Sequence, residues 1–316
     1  MVATDTLVQQ SLHKQVVKLM GNRFEITVVG EDAAWANGMI AAAISEIERI
    51  EKLLTTFSTT SDTYLINANA GIAPVEVSRE TLELVKRSLR ISQLTQGAFD
   101  ITYGSIDKRL WNFDKTMTAL PDAATAKEMV RLINYRNVLI DDGACTVFLK
   151  ECGMRIGFGG IGKGYAAEKA KALLQQWGVT SGIVNASGDL AAWGLQPDGM
   201  PWTVGIAHPD LVGKPFSYLN ISDMAVATSG NYEKFVMIGG RKYSHTINPR
   251  TGLPVTGIKS VTIICPNAEM ADAMATPVTI MGIEAGLHLI NQLKGVGCII
   301  IDDGNTIYTS KNINLK

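Results

Sequence analysis

Apolar residues in this chain follow two rhythms, and the rhythm changes several times. Val16 to Val29 contains the run Phe24-Glu25-Ile26-Thr27-Val28-Val29, a strand pattern interrupted by Met20-Gly21-Asn22. From Asp32 to Leu54 the spacing becomes helical. Ile40, Ile44, Ile47 and Leu54 share one face, while Glu46, Glu48 and Glu51 point the other way. A second helix is expected from Ser78 with Thr81 and Leu82, and a third over Pro121 to Leu132 after a polar loop from Asp107. Val138-Leu139-Ile140 and Val147-Phe148-Leu149 then read as strands joined by the turn signal Asp141-Asp142-Gly143. A glycine-rich loop follows, then a helix from about Tyr165 to Trp177. Short strands are expected at Gly182–Asn185, Trp202–Ala207, Tyr218–Ile221 and Val261–Cys265, with a helix over Met270 to Met281 and a last helix and strand. Meandering strands with helices inserted irregularly predict an α+β fold rather than a regular β-α-β series.

Bulk properties narrow the class without naming a function. The chain has 316 residues, enough for a substantial core, and its 46% hydrophobic and 19% charged residues are ordinary for a globular protein. A formal net charge of −1 leaves no electrostatic footprint for nucleic acid. No basic arm suggests a membrane surface, and no stretch of about 18 apolar residues could span a bilayer. Cys145, Cys152, Cys265 and Cys298 stand far apart with no C-x-x-C pair, which reads as buried, reduced thiols. Met1 to Lys18 is polar and charged, without an apolar signal core or a lipid-acceptor cysteine, so a cytoplasmic location is expected.

The densest chemistry lies at Gly157-Phe158-Gly159-Gly160-Ile161-Gly162-Lys163-Gly164. Free backbone N–H groups around one lysine make a cradle for phosphate. The loop matches G-x-G-x-x-G at Gly157, Gly159 and Gly162, and all but the last residue of a P-loop at Gly157, Gly162 and Lys163. Context supports neither. Arg155-Ile156 is too thin a strand for a dinucleotide turn, and Gly164 lacks the hydroxyl with which a P-loop binds magnesium. A metal ligand must then come from elsewhere. Asp272 and Thr276 offer a carboxylate and a hydroxyl at i and i+4 on one helix face, both hard oxygen donors suited to magnesium. The bland alternative is an exposed acid and a threonine bonded to its own helix. Tyr243-Ser244-His245-Thr246-Ile247-Asn248-Pro249-Arg250-Thr251-Gly252 reads as a strand ending in a Pro-containing turn, and His245 among its hydroxyls can act as a general base, as a stabiliser of phosphate charge, or as a structural donor to the turn. Gly97-Ala98-Phe99-Asp100 combines a turn, an aromatic ring and a carboxylate, suited to holding a flat ring.

Taken in order, these segments resemble the ApbE family of FAD:protein FMN transferases. The order runs through Met20 to Phe24, Ser58 to Asn67, Gly97 to Asp100, Gly159 to Tyr165 and Asn185-Ala186-Ser187-Gly188-Asp189. It continues with Thr228 to Tyr232, His245 to Gly252 and Ala271 to Thr276. The resemblance covers roughly residues 16–310. It implies a single α+β domain over 16–316, related to the T-fold, with mixed or antiparallel sheets and packed helices, behind a tail at 1–15. It also implies magnesium-dependent cleavage of FAD, with the FMN half passed to a threonine or serine of an acceptor flavoprotein and AMP released. Residue by residue, Met20 would border FAD, Tyr64 would touch it, and Ala98, Phe99 and Asp100 would line the flavin or adenine site. Lys163 would meet the pyrophosphate. Asp272, Thr276 and the Gly160 carbonyl would hold magnesium. His245 and Thr246 occupy the family's catalytically needed histidine segment, with His245 the first choice of base and Asp272 the second.

Three departures stand out. Most members carry aspartate where Gly157 stands and alanine where Gly162 stands, leaving a Gly157 contact with FAD to the backbone; Asn248 replaces a usual aspartate. The expected acceptor is a cytoplasmic reductase, with no nucleic-acid or membrane partner. A pyrophosphatase that lets water attack FAD, or a carrier that holds FAD intact, uses much the same residues.

Overall fold

The computed structural model describes residues 10–109, 118–207, 215–230 and 235–313. Strands β1 (Ser11–Leu19) and β2 (Asn22–Gly30) form a hairpin. The interruption read at Met20-Gly21 is its two-residue turn, with φ of 50° and 71° at these positions. Because pairing runs from Ser11 opposite Gly30, residues 11–15 of the expected tail are strand. Helix α1 (Ala33–Leu54) is capped by Asp32 and buries Ala36, Ile40, Ala43, Ile47, Ile50 and Leu54, so that Ile40, Ile47 and Leu54 of the expected stripe face the core and Ile44 is half-buried at its edge. Next come α2 (Asp62–Ala68), β3 (Val75–Glu76) and α3 (Arg79–Leu94), the last capped by Ser78. A 3-10 turn covers Ile101–Ser105, and α4 (Ala123–Met129) precedes β4 (Val138–Asp141) and β5 (Thr146–Leu149). Residues 110–117 of the polar loop expected from Asp107 lie outside the described residues.

Helix α5 (Gly162–Gln176) is followed by β6 (Gly182–Ala186), β7 (Asp189–Trp193), β8 (Trp202–Ala207), β9 (Pro215–Ile221) and β10 (Met224–Gly230). The chain closes with β11 (Phe235–Ile238), β12 (Arg241–Ser244), β13 (Ile258–Cys265), α6 (Ala268–Met281), α7 (Ile283–Ile290), β14 (Gly297–Asp302) and β15 (Ile307–Thr309). Eight strands form one sheet in the order β1-β2-β6-β7-β10-β13-β14-β15, antiparallel throughout. Helices α1, α5 and α6 cover one face, where Ile40, Ile47, Ala166, Ala170, Met274 and Val278 meet Ile26, Val184, Ala227 and Val261. The other face carries Val226, Ile264 and Ile299 against Trp202, Val204 and Ile206 of the β8–β9 hairpin. Burial on both faces explains why β13 and β14 read as nearly continuous apolar runs rather than alternating ones. Among the described residues, no helix is long and apolar enough to cross a membrane.

Candidate functional site around the glycine loop

The approach to the loop is clamped before the glycines begin. The Asn67 side chain accepts from the Ile156 N–H at 2.7 Å and donates to the Ile156 carbonyl at 3.0 Å. The Gly157 N–H donates to Ile101 O at 3.0 Å. The chain then curls so that Ile161 N and Gly162 N both reach Phe158 O, at 3.2 and 2.6 Å. Side chains added at Gly157 or Gly159 would meet nothing within 4 Å, so this backbone faces open space. At Gly160 an added Cβ would lie 3.4 Å from the Phe99 ring, and at Gly162 3.6 Å from Met20 Cε. Phe99 and Met20 therefore edge the loop, and the hairpin turn at Met20-Gly21 is what brings Met20 there.

Gly164 has a different reason to be glycine. A Cβ there would fall 2.1 Å from Ala268 O and 2.6 Å from Asp272 Cβ. No other residue allows α5 and α6 to meet at this point. That contact places Asp272 at the N-terminus of α5, whose cap residue Ile161 offers no side-chain acceptor. Asp272 Oδ2 accepts the Gly164 N–H at 2.9 Å, and the carboxylate also takes the Lys163 N–H. Two of the helix's orphan donors are thus served from another helix, on its positive end. Burial, followed by the charge of Asp189, raises the Asp272 pKa above the ordinary 3.8, while Lys163 and the two N–H groups pull the other way.

The Lys163 ammonium forms an ion pair with Asp189. Asp189 opens β7 directly after Ser187-Gly188, a two-residue turn with φ of 57° and 103°, closed by Gly188 N donating to Asn185 Oδ1 at 2.8 Å. One turn along α6 from Asp272, the Thr276 hydroxyl comes within 3.5 Å of Ser229 Oγ on β10. Lys163, Asp189, Asp272, Thr276 and Ser229 thus line one corner under the loop. The sequence reading assigned no role to Asp189 or Ser229. An acid that follows Ser-Gly between two apolar strands was the available signal for Asp189.

Asp100 and the histidine segment belong to a second wall. Asp100 turns its carboxylate inward. Oδ1 accepts from Thr102 N at 2.8 Å and Thr102 Oγ1 at 2.6 Å, and Oδ2 from Tyr135 N at 2.9 Å. Its pKa is raised by burial. It caps the 3-10 turn while bordering a pocket of about 100 Å³ with Gly97, Tyr135, Arg136 and Arg250. Ala98 is buried and Tyr64 half-buried on α2. His245 is exposed and Thr246 buried. Their segment is fixed by the Thr246 N–H on Ser244 Oγ at 3.0 Å and by the Ile247 N–H on the Tyr103 hydroxyl at 3.1 Å. Asn248 builds the following turn by accepting the Arg250 N–H at 2.8 Å, so the change from aspartate keeps the bond. Residues 99–103 join the walls, with Phe99 against the loop and Tyr103 against the histidine segment. Asn231 and Tyr232 lie outside the described residues.

Asp272 and Thr276 can offer a magnesium ion a carboxylate and a hydroxyl, with Gly160 able to add a carbonyl. These are hard oxygens, few in number, as that ion accepts when phosphate and water complete its shell. Two buried acids that share the one Lys163 ammonium also leave a negative charge that such an ion would balance. The residues therefore fit the metal. No group of three or more His, Cys, Asp or Glu side chains occurs among the described residues, so an all-protein cage is not on offer.

Comparison with known proteins gives a consistent picture. The model of the ApbE family matches residues 20–300. A FAD:protein FMN transferase from Treponema pallidum (strain Nichols) is 32% identical over 296 residues, covering 89% of this chain and 82% of the relative. One from Klebsiella pneumoniae (strain 342) is 29% identical, covering 92% and 85%. The crystal structure of the ApbE protein of Thermotoga maritima superposes with a TM-score of 0.85 at 29% identity, over 95% of this chain and 97% of that one.

Proposed function

The chain belongs to the ApbE family, and from that premise we propose that it transfers the FMN half of FAD to a threonine or serine hydroxyl of an acceptor flavoprotein. The observation that supports this most is the convergence of Lys163 and Asp272 at the N-terminus of α5, beside a loop whose glycine backbone faces open space. A pyrophosphate at this loop is met by the Lys163 ammonium beside the open backbone at Gly157 and Gly159. Phe99 and Met20 supply apolar borders for a flat ring next to it.

The acceptor hydroxyl oxygen attacks the flavin-side phosphorus. The bond from that phosphorus to the bridging oxygen breaks, and AMP departs with that oxygen. The hydroxyl proton passes to an imidazole nitrogen of His245, which is exposed and so within reach of a protein substrate. Asp272 is the poorer base, because its oxygens already accept two N–H groups of α5. Magnesium, when bound, polarises the phosphoryl oxygens; Asp272, Thr276 and the Gly160 carbonyl would hold it.

The test uses the protein with FAD, magnesium chloride and a candidate acceptor, followed by denaturing electrophoresis. A fluorescent acceptor band is expected. Free FMN and AMP without a labelled acceptor would overturn transfer in favour of hydrolysis, and unchanged FAD would reduce the protein to a carrier.

A further inference from the structure

The corner under the glycine loop holds more negative charge than an anion site should. Lys163 is its cation, yet two carboxylates, Asp189 and Asp272, share that corner. Their mobilities differ. Asp189 is 4% exposed and fixed by the Ser187-Gly188 turn and by its register opposite Ala186, so its carboxylate has nowhere to go. The Lys163 side chain keeps 28% of its surface open and hangs on a flexible four-carbon stem, so it is the partner that can move. An incoming pyrophosphate must draw Lys163 away from Asp189 while facing a like charge, and like charges placed together disfavour association. A divalent cation beside Asp272 reverses that balance.

We infer that Asp189 is a positioning residue that latches Lys163 in the metal-free protein, so that FAD and magnesium load cooperatively. The inference rests on the reading of this site as one that binds FAD through its pyrophosphate. Loading is then reciprocal: magnesium tightens FAD binding, and FAD tightens magnesium binding by the same factor. FAD taken up without the metal would be held poorly, away from Lys163.

Binding of FAD, followed by flavin fluorescence without any acceptor, tests this. In EDTA, Asp189→Asn is expected to bind FAD about tenfold more tightly than the unaltered protein, because the latch and its charge are gone. A gain of affinity cannot arise from misfolding. In a Lys163→Met background the same substitution should give little gain, because the effect runs through the lysine. No tightening in EDTA would overturn the inference, and so would equal tightening in both backgrounds. The unaltered protein provides a second arm, with FAD titrated at several magnesium concentrations. An FAD affinity independent of magnesium would overturn the latch while leaving the site reading intact. Absence of FAD binding even with magnesium would overturn both.

Discussion

His245 and Asp272 illustrate how residue type and surroundings divide chemical labour. An exposed imidazole on a braced turn can take a proton from a visiting hydroxyl, whereas a buried carboxylate engaged by helix N–H groups cannot do so freely. His245→Ala should therefore slow transfer by about 10²- to 10⁴-fold. FAD affinity in fluorescence titration should stay close to that of the unaltered protein. Asp272 predicts a pH effect. Its pKa is raised in the folded state, so its contribution to stability is full below the unfolded value of 3.8 and is lost as pH rises through the raised value. In EDTA, melts taken at rising pH through that range should show falling stability from this group, and Asp272→Asn should flatten that slope. At this scale the sequence displayed Lys163, Asp272 and Thr276, because glycine context and i, i+4 spacing are local signals. Asp189 escaped because its partner lies across a turn and a helix. Gly164 was read as a missing hydroxyl, whereas its constraint is steric and comes from a residue far along the chain.

At the scale of elements, the site depends on α5 and α6 meeting at one point. Gly164→Ala would drive a methyl group into the Ala268 carbonyl, backbone that cannot step aside, and should cost about 3 kcal/mol by urea denaturation. Gly159→Ala meets open space and should leave the urea midpoint nearly unchanged. The first turn of α5 is also held from its outer side. The Tyr165 hydroxyl donates to Glu80, which Arg49 grips through two bonds of 2.7 and 2.9 Å. Burial and that acceptor both raise the Tyr165 pKa, keeping the phenol protonated. Helix α1 was legible to within a residue or two because its apolar stripe is long and its cap is explicit. Strands β10 and β11 were not, because β10 ends in Ser229-Gly230, poor strand formers, and β11 has only four residues, whereas the end of β12 was legible from Tyr243.

For the whole molecule, α+β character was legible from the irregular mixture of rhythms. The single eight-stranded sheet was not, because its order links strands far apart in sequence. Strands covered on both faces lose the alternation that reveals pairing partners. Since only the folded chain assembles this site from β1–β2, α5, β7 and α6, ligands should stabilise the entire fold. FAD with magnesium at a hundredfold above the dissociation constant should add about 2.7 kcal/mol. Thermal melts with and without both would register this, and the shift should disappear in Asp272→Ala.

The contact between Gly164 and Ala268 also works as a mechanical stop. Helix α5 carries the root of the lysine and α6 carries both oxygen donors, Asp272 and Thr276, so the spacing between that root and those donors is the spacing between two helix axes. Where backbone already touches backbone, α6 cannot slide inward, and the bonds from Asp272 to the N–H groups of α5 oppose its sliding outward. The gauge of the site is thus machined into the helix pair itself. A larger or smaller nucleotide bridge would meet a helix pair without slack, and only the Lys163 stem could adapt to it.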